Sequence, residues 1–240
     1  MKNRTSRPWL ERLLRWPLYG LVPILLLLTS VRLLLTPAFV RLNYALPGFP
    51  EDPYGFTREE RLQGASVALE YLLNDQPVSF LGDLRFENGQ PAYNDRELKH
   101  MEDVKVLVQQ AMAVWLAALA LGAVLALGLG QFAGERHAWR ALHQAARLTL
   151  LVMVLLLAGI AASFSFLFVG FHRVFFEGDT WLFLYSDTLI RLFPERFWLT
   201  AFLGIGAGTL LLAGLLLGLS AWRLQRLARA TSGKSDEAAA

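Results

Sequence analysis

Apolar residues in this chain are gathered into four long runs, roughly residues 17–35, 106–132, 148–171 and 198–222. A run of about 20 apolar residues is long enough to cross a bilayer. Hydrocarbon offers the backbone no hydrogen-bond partner, so each run must be a helix. The pattern therefore predicts an all-α membrane protein: a four-helix transmembrane bundle, one integral membrane domain over residues 1–240. The polar stretches differ in kind. Residues 36–105 are too many for a simple connection, so this segment is expected to fold. Thr57 and Glu60 have capping-box spacing. A helix of some four turns should follow, with Leu62, Val67, Ala68, Leu69 and Leu72 on its apolar stripe. Asn88-Gly89, between Leu84-Arg85-Phe86-Glu87 and Gln90-Pro91-Ala92-Tyr93, predicts a β-hairpin, with Pro91 on an edge. Asn94 and Glu97 repeat the capping box, so the second long helix should start near Asp95, well before its apolar part.

Charge sets an orientation. Lys2, Arg4, Arg7, Arg12 and Arg15 precede the first run against Glu11 alone. Arg136, Arg140 and Arg147 lie between runs two and three. Arg223, Arg226, Arg229 and Lys234 follow the fourth. Basic segments stay inside. The expected topology is thus N-in/C-in, with residues 36–105 and 172–197 external and a cytoplasmic tail over 223–240. Segment 36–105 carries 7 Lys/Arg and 12 Asp/Glu, in keeping with an external place. The first run is too long for a cleaved signal peptide and reads as an uncleaved anchor. Residues 232–240 read as a frayed polar tail. In the fourth run, Gly204/Gly208 and Gly214/Gly218 form small-xxx-small pairs that permit close helix approach, more simply within the chain than between copies.

Composition narrows the chemistry. The chain is 55% hydrophobic but only 18% charged, against about 25% in soluble domains. Its mean hydropathy is +0.39. A net charge of +3, unevenly spread, does not suggest nucleic-acid binding. There is no cysteine. That excludes disulfides, thiolate nucleophiles and Cys-ligated zinc or iron–sulfur centres. No serine stands in a nucleophile-elbow context, so an acyl-enzyme has no evident nucleophile.

Acid–base chemistry falls to the four histidines. His137 and His143 lie in the inner basic loop and read as solvated. His100 precedes the outer end of the second run, and His172 ends the third. In an antiparallel helix pair they meet at the outer membrane interface. Asp103, one turn beyond His100, can hydrogen-bond it and fix its tautomer. Three readings of the pair stand: two unrelated interfacial histidines; a metal or haem site, with Asp103, Glu102 or Asp179 as a third zinc ligand; or an acid–base pair acting on a lipid-borne group. A scaffold binding a partner through its external segment is a further alternative. Arg32 either snorkels to the interface or faces the site and attracts a carbonyl or anion. Asp179 and Asp187 read first as caps of local turns.

Three segments add a resemblance. They are Glu97-Leu98-Lys99-His100-Met101-Glu102-Asp103-Val104-Lys105, Gly170-Phe171-His172-Arg173-Val174-Phe175-Phe176, and Asp187-Thr188-Leu189-Ile190-Arg191-Leu192-Phe193-Pro194-Glu195-Arg196-Phe197-Trp198. The first two resemble the signature regions of the lipoprotein intramolecular transacylase family, Lit, and the third is also similar to it. The four-span order, the large first external segment and the hairpin before span two are similar too. The resemblance implies an enzyme of the bacterial cytoplasmic membrane, active at the outer leaflet and needing no cofactor or metal. Its substrate would be a lipoprotein whose N-terminal cysteine carries an S-diacylglyceryl group, and membrane lipids would surround it. The enzyme would move the sn-2 acyl chain to the cysteine α-amine, leaving a lyso-form lipoprotein. His100 and His172 would be the catalytic dyad. Asp103, Arg173 and Arg32 are the candidate supporting residues, the two arginines as groups that polarise a carbonyl.

Overall fold

The structure, a computed structural model, describes residues 8–237. In chain order the helices are α1 (Pro8–Leu34), α2 (Pro37–Ala45), α3 (Arg58–Leu73), α4 (Ser79–Gly82), α5 (Asp95–Phe132), α6 (Glu135–Ala162), α7 (Phe164–Phe175), α8 (Thr188–Leu192) and α9 (Glu195–Glu237). Among the described residues, α1, α5, α6 and α9 are long and apolar enough to cross a membrane. Large apolar side chains lie exposed along them, including Leu127, Leu155, Leu211 and Leu215. Such surface is costly in water but costs nothing against lipid tails. The basic residues Lys2, Arg4 and Arg7 lie outside the described residues. The polar tail expected over 232–240 is instead helical as far as Glu237, and its last residues are not described.

The chain divides into two compact units. The first comprises residues up to 30, 114–157 and 206 onward. Its core is Leu18, Val22, Leu125, Leu129, Ala138, Ala141 and Ala145. Ala141 and Ala145, one turn apart, present so little bulk that neighbouring backbones approach closely. Polar side chains join the helices where water is absent. Thr209 donates to Ser30 Oγ over 3.0 Å, and Trp115 Nε1 donates to Thr29 Oγ1 over 3.0 Å. His143 is partly buried, its Nδ1 3.0 Å from the buried Ser220 Oγ. It is therefore not the solvated residue expected. The glycines of α9 also divide differently from their spacing. A Cβ on Gly206 or Gly208 would come within 2.5 Å of Leu157 or 3.2 Å of Ser30. At Gly214 and Gly218 it would meet nothing within 4 Å among the described residues.

The second unit comprises residues 31–113 and 158–205. Its core gathers Val40, Tyr44, Ala65, Ala68, Leu69, Tyr71, Leu81, Tyr93, Met101, Leu189, Leu192 and Phe197. Both expected capping boxes form. Thr57 and Glu60 exchange side-chain and backbone bonds at the start of α3. Asn94 and Glu97 do the same at the start of α5, at 3.0 and 2.9 Å. The expected hairpin does not form as strands. Arg85 and Pro91 make one isolated bridge around the Asn88-Gly89 turn, where Gly89 takes φ +81°. Pro91 has no N–H to extend a ladder. The third apolar run is also not one helix. It breaks at Ser163, which leaves helical dihedrals and caps α7 by accepting from Phe166 N.

Two arginines, Arg61 buried and Arg191 partly buried, hold this unit together. Arg61 is 3% exposed. It donates from Nε to the Arg191 carbonyl and from Nη1 to the Pro50 carbonyl, each over 2.7 Å. Beside it Tyr44 donates to the Leu192 carbonyl over 2.5 Å, and burial pushes its phenol up to about 12. Arg191 packs over the Phe56 ring and pairs with Asp52 at 2.8 Å. Burial alone would raise the Asp52 carboxyl. The Arg191 guanidinium and the Phe56 N–H outweigh burial and hold it below the usual range. A carboxyl lowered in this way stabilises the fold above its unfolded value of about 3.9, and that contribution disappears as pH falls through the lower folded value. The thermal midpoint of the purified protein should therefore drop below about pH 4. Asp52→Asn should lower the neutral-pH stability by about 1–3 kcal/mol and flatten part of the acid-side fall.

Candidate active site

His100 reaches its position through the start of α5. Asn94 supplies the cap, Glu97 closes the box, and His100 follows in the second turn. Glu97 does more than cap. It is 2% exposed, and its second carboxylate oxygen accepts the Leu189 N–H over 2.7 Å. Thr188 Oγ1 donates to the Ala92 carbonyl over 2.5 Å. These bonds fasten the first turn of α5 to α8. One and a half turns further on, Lys105 donates to the Gln76 carbonyl over 2.6 Å and to Asn74 over 3.2 Å. His100 is thus held between two anchors on one helix.

His172 sits in the last turn of α7. Its Nδ1 lies 2.8 Å from the Phe168 carbonyl oxygen. A carbonyl only accepts, so Nδ1 carries the proton. In the neutral ring Nε2 then holds the lone pair.

The structure brings the two imidazoles together. Their ring centroids are 6.0 Å apart, with planes 20° from parallel. Both are buried, each 8% exposed. Phe176 lies against both, at 4.8 Å from His100 and 5.4 Å from His172. Phe183 lies 5.3 Å from His100, and Phe168 and Trp181 lie 4.3 and 5.0 Å from His172. Sequence reasoning gave Phe176, Trp181 and Phe183 no place beside the imidazoles. Their only signal was the dense aromatic run that follows His172.

The supporting residues fare differently. Asp103 does not bond His100. It pairs with Lys99 at 3.1 Å, and Glu102 also faces Lys99, at 3.7 Å. A permanent cation four residues away is a stronger partner for a carboxylate than a neutral ring nitrogen. His100 Nδ1 is left buried with no hydrogen-bond partner. Such a group, left without a partner, normally costs about 1–3 kcal/mol. Arg32 and Arg173 are exposed, and no hydrogen bond or ion pair fixes either among the described residues. Asp187 does local structural work, as expected, accepting from Leu184 N and from Asn94. Among the described residues no three His, Asp or Glu side chains converge as metal ligands would.

Four membrane helices and a buried imidazole pair define a multi-pass integral membrane protein with a site suited to acid–base chemistry. The comparisons name its kind. The family profile for the lipoprotein intramolecular transacylase Lit matches residues 18–198. The chain belongs to that family and is, with it, a membrane acyltransferase. It is 31% identical over 198 residues to a protein of Aquifex aeolicus (strain VF5) described as uncharacterized. That match covers 79% of this chain and 84% of the relative. The fold is similar to the in meso structure of Lit from Bacillus cereus, with TM-score 0.75 at 20% identity, covering 93% of this chain and 99% of that one. A form of the same protein carrying a histidine-to-arginine mutation gives TM-score 0.69 at 19% identity, covering 94% and 96%.

Proposed function

We propose that this protein moves the sn-2 acyl chain of an S-diacylglyceryl lipoprotein to the α-amine of its N-terminal cysteine. The product is an N-acyl, monoacylglyceryl lyso-form. We place the reaction at the outer leaflet of a bacterial cytoplasmic membrane, with both termini inside. The observation that carries the reading is the pairing of His100 with a His172 whose Nδ1–H is engaged by Phe168, leaving Nε2 basic.

In the proposed reaction the amine lone pair attacks the sn-2 ester carbonyl. The amine, with a pKa near 7.7–8.0, attacks as the free base, and forming the N–C bond leaves nitrogen with a proton to lose. His172 Nε2 accepts that proton. The tetrahedral intermediate collapses by breaking the bond between the carbonyl carbon and the sn-2 oxygen. The proton taken from nitrogen passes across the imidazole pair and reaches that oxygen from His100, so the pair gains one proton and gives one up, and the two histidines can exchange these roles. Asp103 shares its helix with His100 and pairs with Lys99. Arg173 and Arg32 are exposed, with no hydrogen bond or ion pair among the described residues, and would polarise the ester carbonyl.

Nucleophile and ester belong to one molecule. Amine nitrogen, Cα, Cβ, sulfur, two glyceryl carbons, ester oxygen and carbonyl carbon close a ring of eight atoms. Holding them together supplies roughly 7–11 kcal/mol in the best-oriented cases. No covalent acyl-enzyme is required, which accords with a chain that has no cysteine. The test is tandem mass spectrometry of lipoprotein N-termini from a host that lacks lipoprotein N-acyltransferase and expresses this chain. N-acyl cysteine bearing a monoacylglyceryl thioether is the expected fragment. Diacylglyceryl cysteine with a free amine as the sole form would contradict the reading.

A further inference from the structure

Residues 181–185 follow α7 as an irregular segment with a turn at each end, and burial alternates from Trp181 to Leu184. Trp181 and Phe183 are half-buried, against His172 and His100 respectively. Leu182 and Leu184 point the other way, 46% and 68% exposed, and Tyr185 is 81% exposed. Both faces of this short segment are therefore apolar, but only one has a partner. Its backbone is pinned at three points. Leu182 N donates to the Asp179 carbonyl, Arg96 donates to the Leu182 carbonyl over 3.0 Å, and Leu184 N donates to Asp187. The exposed face is thus a fixed surface.

We propose that segment 181–185 is a lipid-seated strap. Its outer face, Leu182, Leu184 and Tyr185, docks among the acyl chains of the bilayer, while Trp181 and Phe183 close the inner face over the two imidazoles. Two observations favour lipid as the occupant. The segment lies only a few residues beyond α7, an apolar helix whose last turn already exposes Val174 and Phe175, at 76% and 51%. Exposed apolar side chains thus stand on both sides of the exposed Glu177-Gly178-Asp179 turn, at the end of α7 and on the segment itself. Asp179, Asp187 and Arg96 flank the segment, as charges flank an interfacial anchor. Patches of this kind mark contact with a membrane or a partner rather than with water. On the transacylase reading, which this part rests on, the substrate's diacylglyceryl group reaches the histidines from within the bilayer, past the strap, and not from water.

The natural absence of cysteine makes the test direct. Leu184→Cys and Tyr185→Cys each carry a single environment-sensitive fluorophore on the full chain. The labelled proteins are reconstituted in phosphatidylcholine–phosphatidylglycerol vesicles. Val124→Cys, exposed on a membrane helix, serves as the lipid reference, and Asn88→Cys at the turn as the aqueous one. Lipid bearing a doxyl group near its ester should quench both strap labels, and iodide should quench them severalfold less than the Asn88 label. Quenching by iodide and not by doxyl lipid would overturn the proposal. Shielding from both quenchers would mean that protein covers the strap, and would also overturn it. Because Tyr185 is almost fully exposed, its substitution leaves the packing intact even if Leu184→Cys does not fold. The readout needs no turnover, so loss of the transacylase reading would leave it standing, and the reverse.

Discussion

Replacing His172 with asparagine should lower acyl transfer by about 10²–10⁴-fold, the usual contribution of a positioned general base. Asparagine is the informative choice. Its side-chain amide can still donate to the Phe168 carbonyl, which lies 2.8 Å from Nδ1. It presents no base where Nε2 stood. The local hydrogen bond survives while the proton acceptor is lost, so the thermal midpoint in detergent should stay near that of the parent. His172→Ala removes both and should be as inactive, at some cost in stability. A fully active His172→Asn protein would take the base away from His172. His100→Ala is expected to impair transfer as well. Because His100 Nδ1 makes no hydrogen bond among the described residues, its loss should cost stability only through the ring's packing against Phe176 and Phe183.

Replacing Glu97 with alanine should be the most damaging change outside the imidazoles. One carboxylate oxygen accepts the Asn94 N–H and the other the Leu189 N–H. Loss of the cap costs about 1 kcal/mol. The Leu189 N–H, left buried without a partner, costs about 1–3 kcal/mol more. Together the change should destabilise the second unit by about 2–4 kcal/mol. Activity should fall with it, because the same two bonds set the start of α5 and so the placement of His100. Glu97→Gln keeps one accepting oxygen and should lie between parent and alanine in both thermal midpoint and rate. A Glu97→Ala protein with parental stability would show that α5 is placed by other contacts.

The membrane helices and both capping boxes were legible because their signals are local. A span needs only a long apolar run, and a cap needs two residues three apart. The pairing of His100 with His172 followed from two run ends at one expected depth. What escaped depends on distant partners. Glu97 reads as half of a capping box, and nothing nearby announces that its other oxygen serves Leu189. Arg61 is no part of the apolar stripe expected on its helix, and its burial is explained only by the Arg191 and Pro50 carbonyls that receive it. Asp103 was assigned to His100 because the two are three residues apart, but Lys99 is four away and carries a permanent charge. The break at Ser163 falls inside an unbroken apolar run with no proline. The cap bond to Phe166 shows how α7 restarts there. The hairpin signal was real at its turn and failed only in extent, since Pro91 cannot extend the pairing.

The central claim is that the acyl chain never leaves the substrate molecule. It is tested most directly by a crossover measurement with purified protein in vesicles. Two synthetic diacylglyceryl lipopeptides are mixed, one with a heavy sn-2 chain on a light peptide, the other with a light chain on a heavy peptide. After turnover, tandem mass spectrometry reads which chain sits on which amine. The account predicts that both intact masses are unchanged and that every N-acyl product keeps its own chain. Heavy chains on heavy peptides, or products gaining an acyl chain from the surrounding phospholipid, would contradict it.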